Sequence, residues 1–215
     1  MEQEQMESSS PRVGGIVLAA GLSTRMGRPK PLLELAGIPF VRRVAAAATS
    51  GGLAPVVVVV GPDELQVRRA LAGLPGIRLV KNPDYASGMA SSLATGVREV
   101  MAYCDAVMVL LADQPLLPAS VVDQLRARYA EERAGGILIV RARYAGQPGH
   151  PVLFDSAVFP ELLQLQGDVG ARSVVSHHAS ALAWADFANP WWGKDVDTPE
   201  ALSEVLAACE DMRRG

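Results

Sequence analysis

Apolar positions along the chain fall in short unbroken runs that alternate with longer amphipathic ones. Residues 16–20 form an apolar run closed by Gly21. Residues 77–80, which hold Arg78, and 137–140, after Gly135-Gly136, read as further strands, while 56–60 are consecutive valines and 106–112 are wholly apolar. Runs this short and this uniformly apolar predict strands buried on both faces. Between them the period changes. Over 37–50, Val41, Val44 and Ala48 share one helical face while Arg42 and Arg43 lie off it, and Gly51-Gly52 ends the helix. Helices are also predicted over 64–71, after Gly61-Pro62-Asp63, over 87–103, and over 119–133, where Val122, Leu125 and Tyr129 form the apolar stripe. Such alternation predicts a three-layer α/β architecture: a mostly parallel, doubly wound sheet with helices on both faces.

The last third is less regular. Residues 146–154 hold two prolines and two glycines before a short strand. Helices follow over 156–166 and from about 172 to His178, a strand over 181–185, a loop over 189–197 and a closing helix over 198–212. Asp197 or Thr198 caps that helix, and Pro199 suits its first turn. Without a repeat or a linker, 13–212 reads as one domain, with 141–180 a subregion on one side of a crevice. Residues 1–12 read as a disordered leader: they are polar and Ser-rich, with no apolar core of a signal peptide.

Composition narrows the partners. A net charge of −3 over 215 residues argues against a general nucleic-acid or anionic-membrane binder, so an anion site must be a local cluster. No apolar run is long enough to cross a bilayer. Cys104 and Cys209 lack metal-ligand spacing and read as reduced packing residues of a cytoplasmic protein.

Candidate chemistry concentrates at strand ends. Gly21 to Lys30 is small, glycine-containing and basic, with Arg25, Arg28 and Lys30 just beyond the first strand. Exposed backbone N–H groups plus cations there make a phosphate cradle; the alternative is a charged surface turn. Asp113-Gln114-Pro115 ends the fourth strand. In a parallel sheet ligands bind beyond the carboxyl ends of strands, so the two loops are expected to face one crevice. Taken alone, Asp113 could be a turn residue before Pro115, and Asp197 a helix cap. The P-loop, the Rossmann glycine fingerprint and the serine nucleophile elbow are all absent from the sequence.

Six segments in order carry a resemblance: LAAGLSTRMGRPK at 18–30, SGMASSLATG at 87–96, LLADQP at 110–115, GQPGHPVLF at 146–154, GDVGAR at 167–172 and DVDTPEAL at 195–202. Together they resemble the nucleotidyltransferases that make molybdenum-cofactor dinucleotides, the MobA-like NTP transferases. LAAG with GHPVLF is more similar to the cytidylyltransferase branch than to the guanylyltransferase branch. The resemblance implies a Rossmann-like, GT-A-like nucleotidyltransferase fold. It implies Mg²⁺-dependent transfer of CMP from CTP to a phosphorylated pterin, molybdopterin, with pyrophosphate leaving, and a molybdoenzyme as receiver of the product. The same chemistry with GTP or another phosphorylated acceptor is the nearest alternative. A non-catalytic protein that binds nucleotide or cofactor and delivers it to an oxidoreductase is an alternative of another class.

Carried onto these residues, the resemblance makes Arg25, Lys30 and Asp113 the catalytic group. Leu18, Ala19, Ala20, Gly21, Leu22, Ser23, Arg25, Lys30, Asn82, Gly88, Ser91, Ser92 and Asp113 line the nucleotide site. His150 and Arg172 hold the acceptor. Asp113 and Asp197 are the metal ligands, with Asp195 a third candidate. Other features read as structural. Asn82 also fits a pre-proline turn, and Trp191-Trp192 fits packing or a subunit contact, with stacking on a pterin the alternative. His177 and His178, adjacent on a helix, are expected to point to different sides and not to face one metal.

Overall fold

The computed structural model describes residues 10–21, 28–168 and 170–214. Its centre is a seven-stranded sheet. β1 (Val13–Ala19) lies between β4 (Val56–Val60) and β6 (Ala106–Leu111), and β5 (Ile77–Lys81) flanks β4, all pairing in parallel. Beyond β6 come β8 (Gln147–Asp155), β7 (Ile139–Tyr144) and β9 (Leu182–Phe187). Only β8 runs antiparallel to its neighbours, and β9 returns parallel to β7.

The valine run shows how sequence becomes layers. Val56, Val58 and Val60 join one core with Val44 and Ala48 of α1 (Phe40–Ser50) and Val122 and Leu125 of α4 (Ala119–Glu132). Val57 and Val59 join the opposite core with Leu93, Val97 and Val100 of α3 (Met89–Val100). Successive strand side chains point to opposite faces, so a strand sandwiched between helix layers must be apolar at every position. Each valine buried this way contributes on the order of 1.5–3 kcal/mol of transfer free energy. Gly96 lets α3 approach β1 closely, since a Cβ there would sit 2.4 Å from Ile16 Cγ2.

A third core seats the end of the chain. Leu35 and Phe40 pack with Leu116, Val196 and Val205 of α7 (Pro199–Arg214). Val196 N–H also donates to the Asp113 carbonyl at 3.0 Å. The segment carrying Asp195 and Asp197 is thereby held against the end of β6.

Three expectations are corrected. The helix expected over 37–50 starts only at Phe40, because Ala36 and Gly37 take positive φ (53° and 76°) in the turn between β2 (Glu34–Leu35) and β3 (Ile38–Pro39). The short strand expected at the end of 146–154 is longer than expected, since β8 starts at Gln147. Val152 and Phe154 of β8 fill one core and Leu153 the other, and this alternation outweighs the N–H groups that Pro148 and Pro151 lack. The helix expected over 156–166 divides into a 3₁₀ turn over Ser156–Val158 and α5 (Phe159–Gln164). The closing helix is capped by Thr198, whose Oγ1 accepts from the Ala201 N–H at 3.2 Å. That leaves the Asp197 carboxylate available to other partners. Among the described residues no helix is long and apolar enough to cross a membrane.

Candidate active site

Two adjoining cavities open at the carboxyl edge of β1 and β6, where the Ala112 N–H donates to the Leu18 carbonyl at 3.1 Å and holds the two strand ends together. The first cavity, about 350 Å³, is lined by Leu18, Ala19, Ala20, Gly21, Gly88 and Ser92. The second, about 520 Å³, is lined by Arg141, His150, Arg172, Asp195 and Asp197. Lys30, Asp113 and Asp168 line both, as do Leu18 and Gly21. Both volumes suit small-molecule ligands, and a group bound in one cavity meets a group bound in the other at Lys30 and Asp113.

The electrostatics at that meeting line are unbalanced. Lys30 Nζ is 3.5 Å from Asp113 Oδ2 and pairs with Asp197 Oδ1. Burial works against the ammonium, but the bonds to Asp197 and Asp113 outweigh it and raise its pKa above the ordinary value. The Asp113 carboxyl is pushed up to about 6, chiefly by burial and then by the neighbouring Asp195 charge, with Lys30 opposing. Burial also raises Asp195, against the hydrogen bond that Gln114 Nε2 donates to its Oδ1 at 2.8 Å. Gln114 Nε2 donates as well to the Gly193 carbonyl at 3.1 Å, so it braces this acidic segment against the end of β6.

Asp113, Asp195 and Asp197 therefore gather around Lys30, with Lys194 also acting on Asp195. Carboxylate oxygens are the ligands hard divalent cations prefer. A cation at Asp113 and Asp197 would relieve the repulsion that raises Asp113, so the residues present fit such an ion.

The far wall of the second cavity is cationic. Arg141 Nε donates to the Gly149 carbonyl at 3.1 Å, and its guanidinium lies over the Trp184 ring at 5.8 Å. Its pKa is lowered by burial and then by the Arg172 charge. His150 is pushed down to about 4, by burial first and then by Arg141 and Arg172, so its imidazole is neutral near pH 7. Among the described residues no carboxylate forms an ion pair with Arg141 or Arg172. Two guanidiniums beside a neutral imidazole make a receptor for a phosphate or carboxylate.

Most sequence-chosen residues meet here: Leu18, Ala19, Ala20, Gly21, Lys30, Gly88, Ser92 and Asp113 in the first cavity, His150, Arg172 and Asp197 in the second. Leu22, Ser23 and Arg25, and the leader up to Ser9, lie outside the described residues. Asn82 and Ser91 do not line either cavity. Asn82 is 1% exposed, and its Nδ2 donates to Ser91 Oγ at 2.8 Å and Ser92 Oγ at 3.0 Å. Its Oδ1 accepts from the Asp84 N–H at 3.0 Å, so this amide braces the start of α3 behind the wall.

Gly88 (φ 112°) lies against chain rather than only against a ligand space. A Cβ there would sit 2.4 Å from the Gly167 carbonyl carbon. Asp168 Oδ1 accepts from the Met89 N–H at 3.1 Å, tying this loop to α3. Sequence reading missed Asp168 and Arg141 as wall residues. For Arg141 the signal was available: Val140 and Ala142 are core residues, so the residue between them must face the other side of β7.

Trp191 packs on the third core, and Trp192 meets Phe187 edge-on at 6.1 Å between ring centroids, as the packing reading expects. The expectation for His177 and His178 is corrected. Helix α6 (Arg172–His177) ends before His178, which takes φ −99° and ψ 31°, and this turns both rings toward Glu161.

The model of the MobA-like NTP transferase domain matches residues 15–182. The chain belongs to the MobA-like NTP transferase family. It is 32% identical over 210 residues to the nicotine blue oxidoreductase of Paenarthrobacter nicotinovorans, covering 93% of this chain and 99% of that one. It is 30% identical over 207 residues to the purine catabolism protein PucB of Bacillus subtilis (strain 168), covering 93% and 98%. The crystal structure of Rv0371C in complex with manganese, from Mycobacterium tuberculosis H37Rv, superposes with a TM-score of 0.72 at 26% identity, covering 92% and 99%. The nucleotidyltransferase assignment rests on the family match and on the fold.

Proposed function

We propose that this MobA-like nucleotidyltransferase transfers CMP from CTP to the terminal phosphate of a phosphorylated pterin, molybdopterin, and releases pyrophosphate. The observation that carries this reading is the pair of cavities sharing Lys30 and Asp113, one beside Ala19 and Ala20 and the other ending in the Arg141–Arg172 pair. In the reaction an acceptor phosphate oxygen attacks the α-phosphorus of CTP. The bond from that phosphorus to the oxygen bridging to the β-phosphate breaks, and that oxygen leaves with the pyrophosphate.

The chain binds and aligns two anions. Arg141 and Arg172 hold the acceptor's phosphate, with His150 neutral beside them. Lys30 neutralises charge that grows on the phosphates, which typically contributes ~3 kcal/mol or more to the transition state. Ala19 and Ala20 leave room for the base. Asp113 and Asp197 hold a divalent cation, for which Mg²⁺ is the expected ion and the manganese complex of Rv0371C a precedent. Such an ion supplies Lewis-acid stabilisation of the phosphoryl oxygens.

The test is pyrophosphate release with each NTP, with and without molybdopterin. Release with CTP that needs the pterin supports the assignment, and release with GTP alone replaces cytidylyl by guanylyl transfer. Without release from any NTP the transferase reading fails, and the non-catalytic delivery reading is then tested by binding of CTP and molybdopterin. The name of the 32% identical relative favours a second reading, an oxidoreductase. Reduction of nicotine blue by the protein with a supplied two-electron donor tests it.

A further inference from the structure

Helices α5 and α6 carry the loop 165–171 between them and pack on the same core through Phe159 and Leu162, and Val174 and Val175. That loop closes on the start of α3: the Gly167 carbonyl accepts from the Ala90 N–H at 3.1 Å, beside the Asp168–Met89 bond. At its end, Arg172 begins α6 and enters the second cavity. At the opposite end of α6, roughly 8–9 Å along its axis, His177 and His178 converge on Glu161 of α5. His177 Nδ1 lies 3.0 Å from Glu161 Oε2, and His178 Nε2 lies 2.6 Å from Oε1. One potential ligand atom from each residue falls within 4.8 Å of the others.

We propose that Glu161, His177 and His178 bind a transition-metal cation of the Zn²⁺ class, separate from the carboxylate site at Asp113, and that this ion staples α5 to α6. The donor set decides the class. Two imidazole nitrogens and one carboxylate oxygen suit Zn²⁺, Co²⁺, Ni²⁺ and Cu²⁺, whereas Mg²⁺ takes oxygens. Size agrees. A tetrahedral ion with ligand bonds of ~2.0–2.2 Å spreads its ligand atoms roughly 3.3 Å apart, so the present contacts need to open by less than about 1 Å. Access agrees as well, since the His177 side chain is 71% exposed and Glu161 36%. Three protein ligands leave a position for water. The staple ties α5, which precedes the loop bearing Asp168, to the far end of the helix that Arg172 begins, so its expected role is to steady the acceptor wall.

The test uses the full chain, stripped with a chelator and dialysed against Zn²⁺ in excess Mg²⁺. Wild type and Asp113→Asn are both expected to retain one Zn²⁺ and to melt at higher temperature with it. His177→Ala/His178→Ala and Glu161→Gln are expected to lose the ion and the Zn²⁺-dependent rise. Metal-free melts of the variants establish that they fold. Should the double variant fail to fold, Cu²⁺ bound to wild type is read by electron paramagnetic resonance for coupling to two imidazole nitrogens. The proposal is overturned if wild type retains no Zn²⁺, if Zn²⁺ persists without the histidines, if it vanishes in Asp113→Asn, or if bound Cu²⁺ shows no imidazole coupling.

Discussion

Asp113→Asn should stabilise the metal-free fold. The Asp113 carboxyl sits at about 6 against an ordinary 3.8, chiefly because it is buried and next because Asp195 faces it. The native protein therefore keeps a proton on Asp113, between roughly pH 3.8 and 6, where the unfolded chain has lost it. The native state binds more protons in that window, so this group's contribution to stability falls as pH rises through it. Above pH 6 the full cost is reached, ~3 kcal/mol at 1.36 kcal/mol per pH unit. The side chain is 25% exposed to crevice water, which screens it, and about 1–3 kcal/mol is expected. Asparagine fills nearly the same volume without the charge, and Lys30 keeps Asp197. In a chelating buffer at pH 7.5 the variant should melt higher by roughly 2–4 °C per kcal/mol. Its advantage should shrink toward nothing by about pH 4. Mg²⁺ or Mn²⁺ should raise the melting temperature of wild type far more than that of the variant. A variant no more stable than wild type at pH 7.5, or a difference that ignores pH, would refute the electrostatic account of this site.

Three further outcomes are expected. Lys30→Ala should lower kcat/KM about a hundredfold, ~3 kcal/mol of lost transition-state stabilisation, while circular dichroism shows the fold kept; an activity within a factor of a few of wild type contradicts Lys30's role. Gly88→Ala should cost about 1–3 kcal/mol in urea unfolding, because alanine is strained at φ 112° and its methyl meets Gly167; an unchanged midpoint contradicts the close packing there. His150 should titrate by NMR with a midpoint near 4 in the free protein, and the midpoint should rise in Arg141→Gln. Because that pKa is depressed below 6.5, stability from a neutral His150 is present above pH 6.5 and lost as pH falls toward 4, by ~1–2 kcal/mol once crevice water is allowed for. A midpoint between 6 and 7 in the free protein would sink the cationic-wall argument.

What could be read in advance follows from how local each signal is. The consecutive valines state their own environment, since nothing but a strand covered on both faces buries all of them. Asp113 at the end of such a strand was readable for the same reason: strand direction in a parallel sheet fixes which edge it reaches. A short strand was readable where β8 lies, but not its full extent, because Pro148 and Pro151 argue against strand locally, and its place between β6 and β7 is a tertiary fact. Asn82 was assigned by resemblance, and its bracing contacts behind the wall were not legible in the sequence. His177 and His178 were read on helical geometry, but the helix ends between them, and one residue's φ and ψ reverses the conclusion. The Lys30 bridge between Asp113 and Asp197 spans most of the chain and depends on the third core holding α7 against the end of β6.

The most direct measurement follows the α-phosphate itself. CTP labelled at that position is incubated with molybdopterin and Mg²⁺, and the products are separated. The account predicts that label moves to the pterin with wild type, stops when the cation is chelated, and fails to move with Asp113→Asn although that variant is folded. Label that stays with CTP in wild type, or that still moves in Asp113→Asn at the wild-type rate, would contradict it.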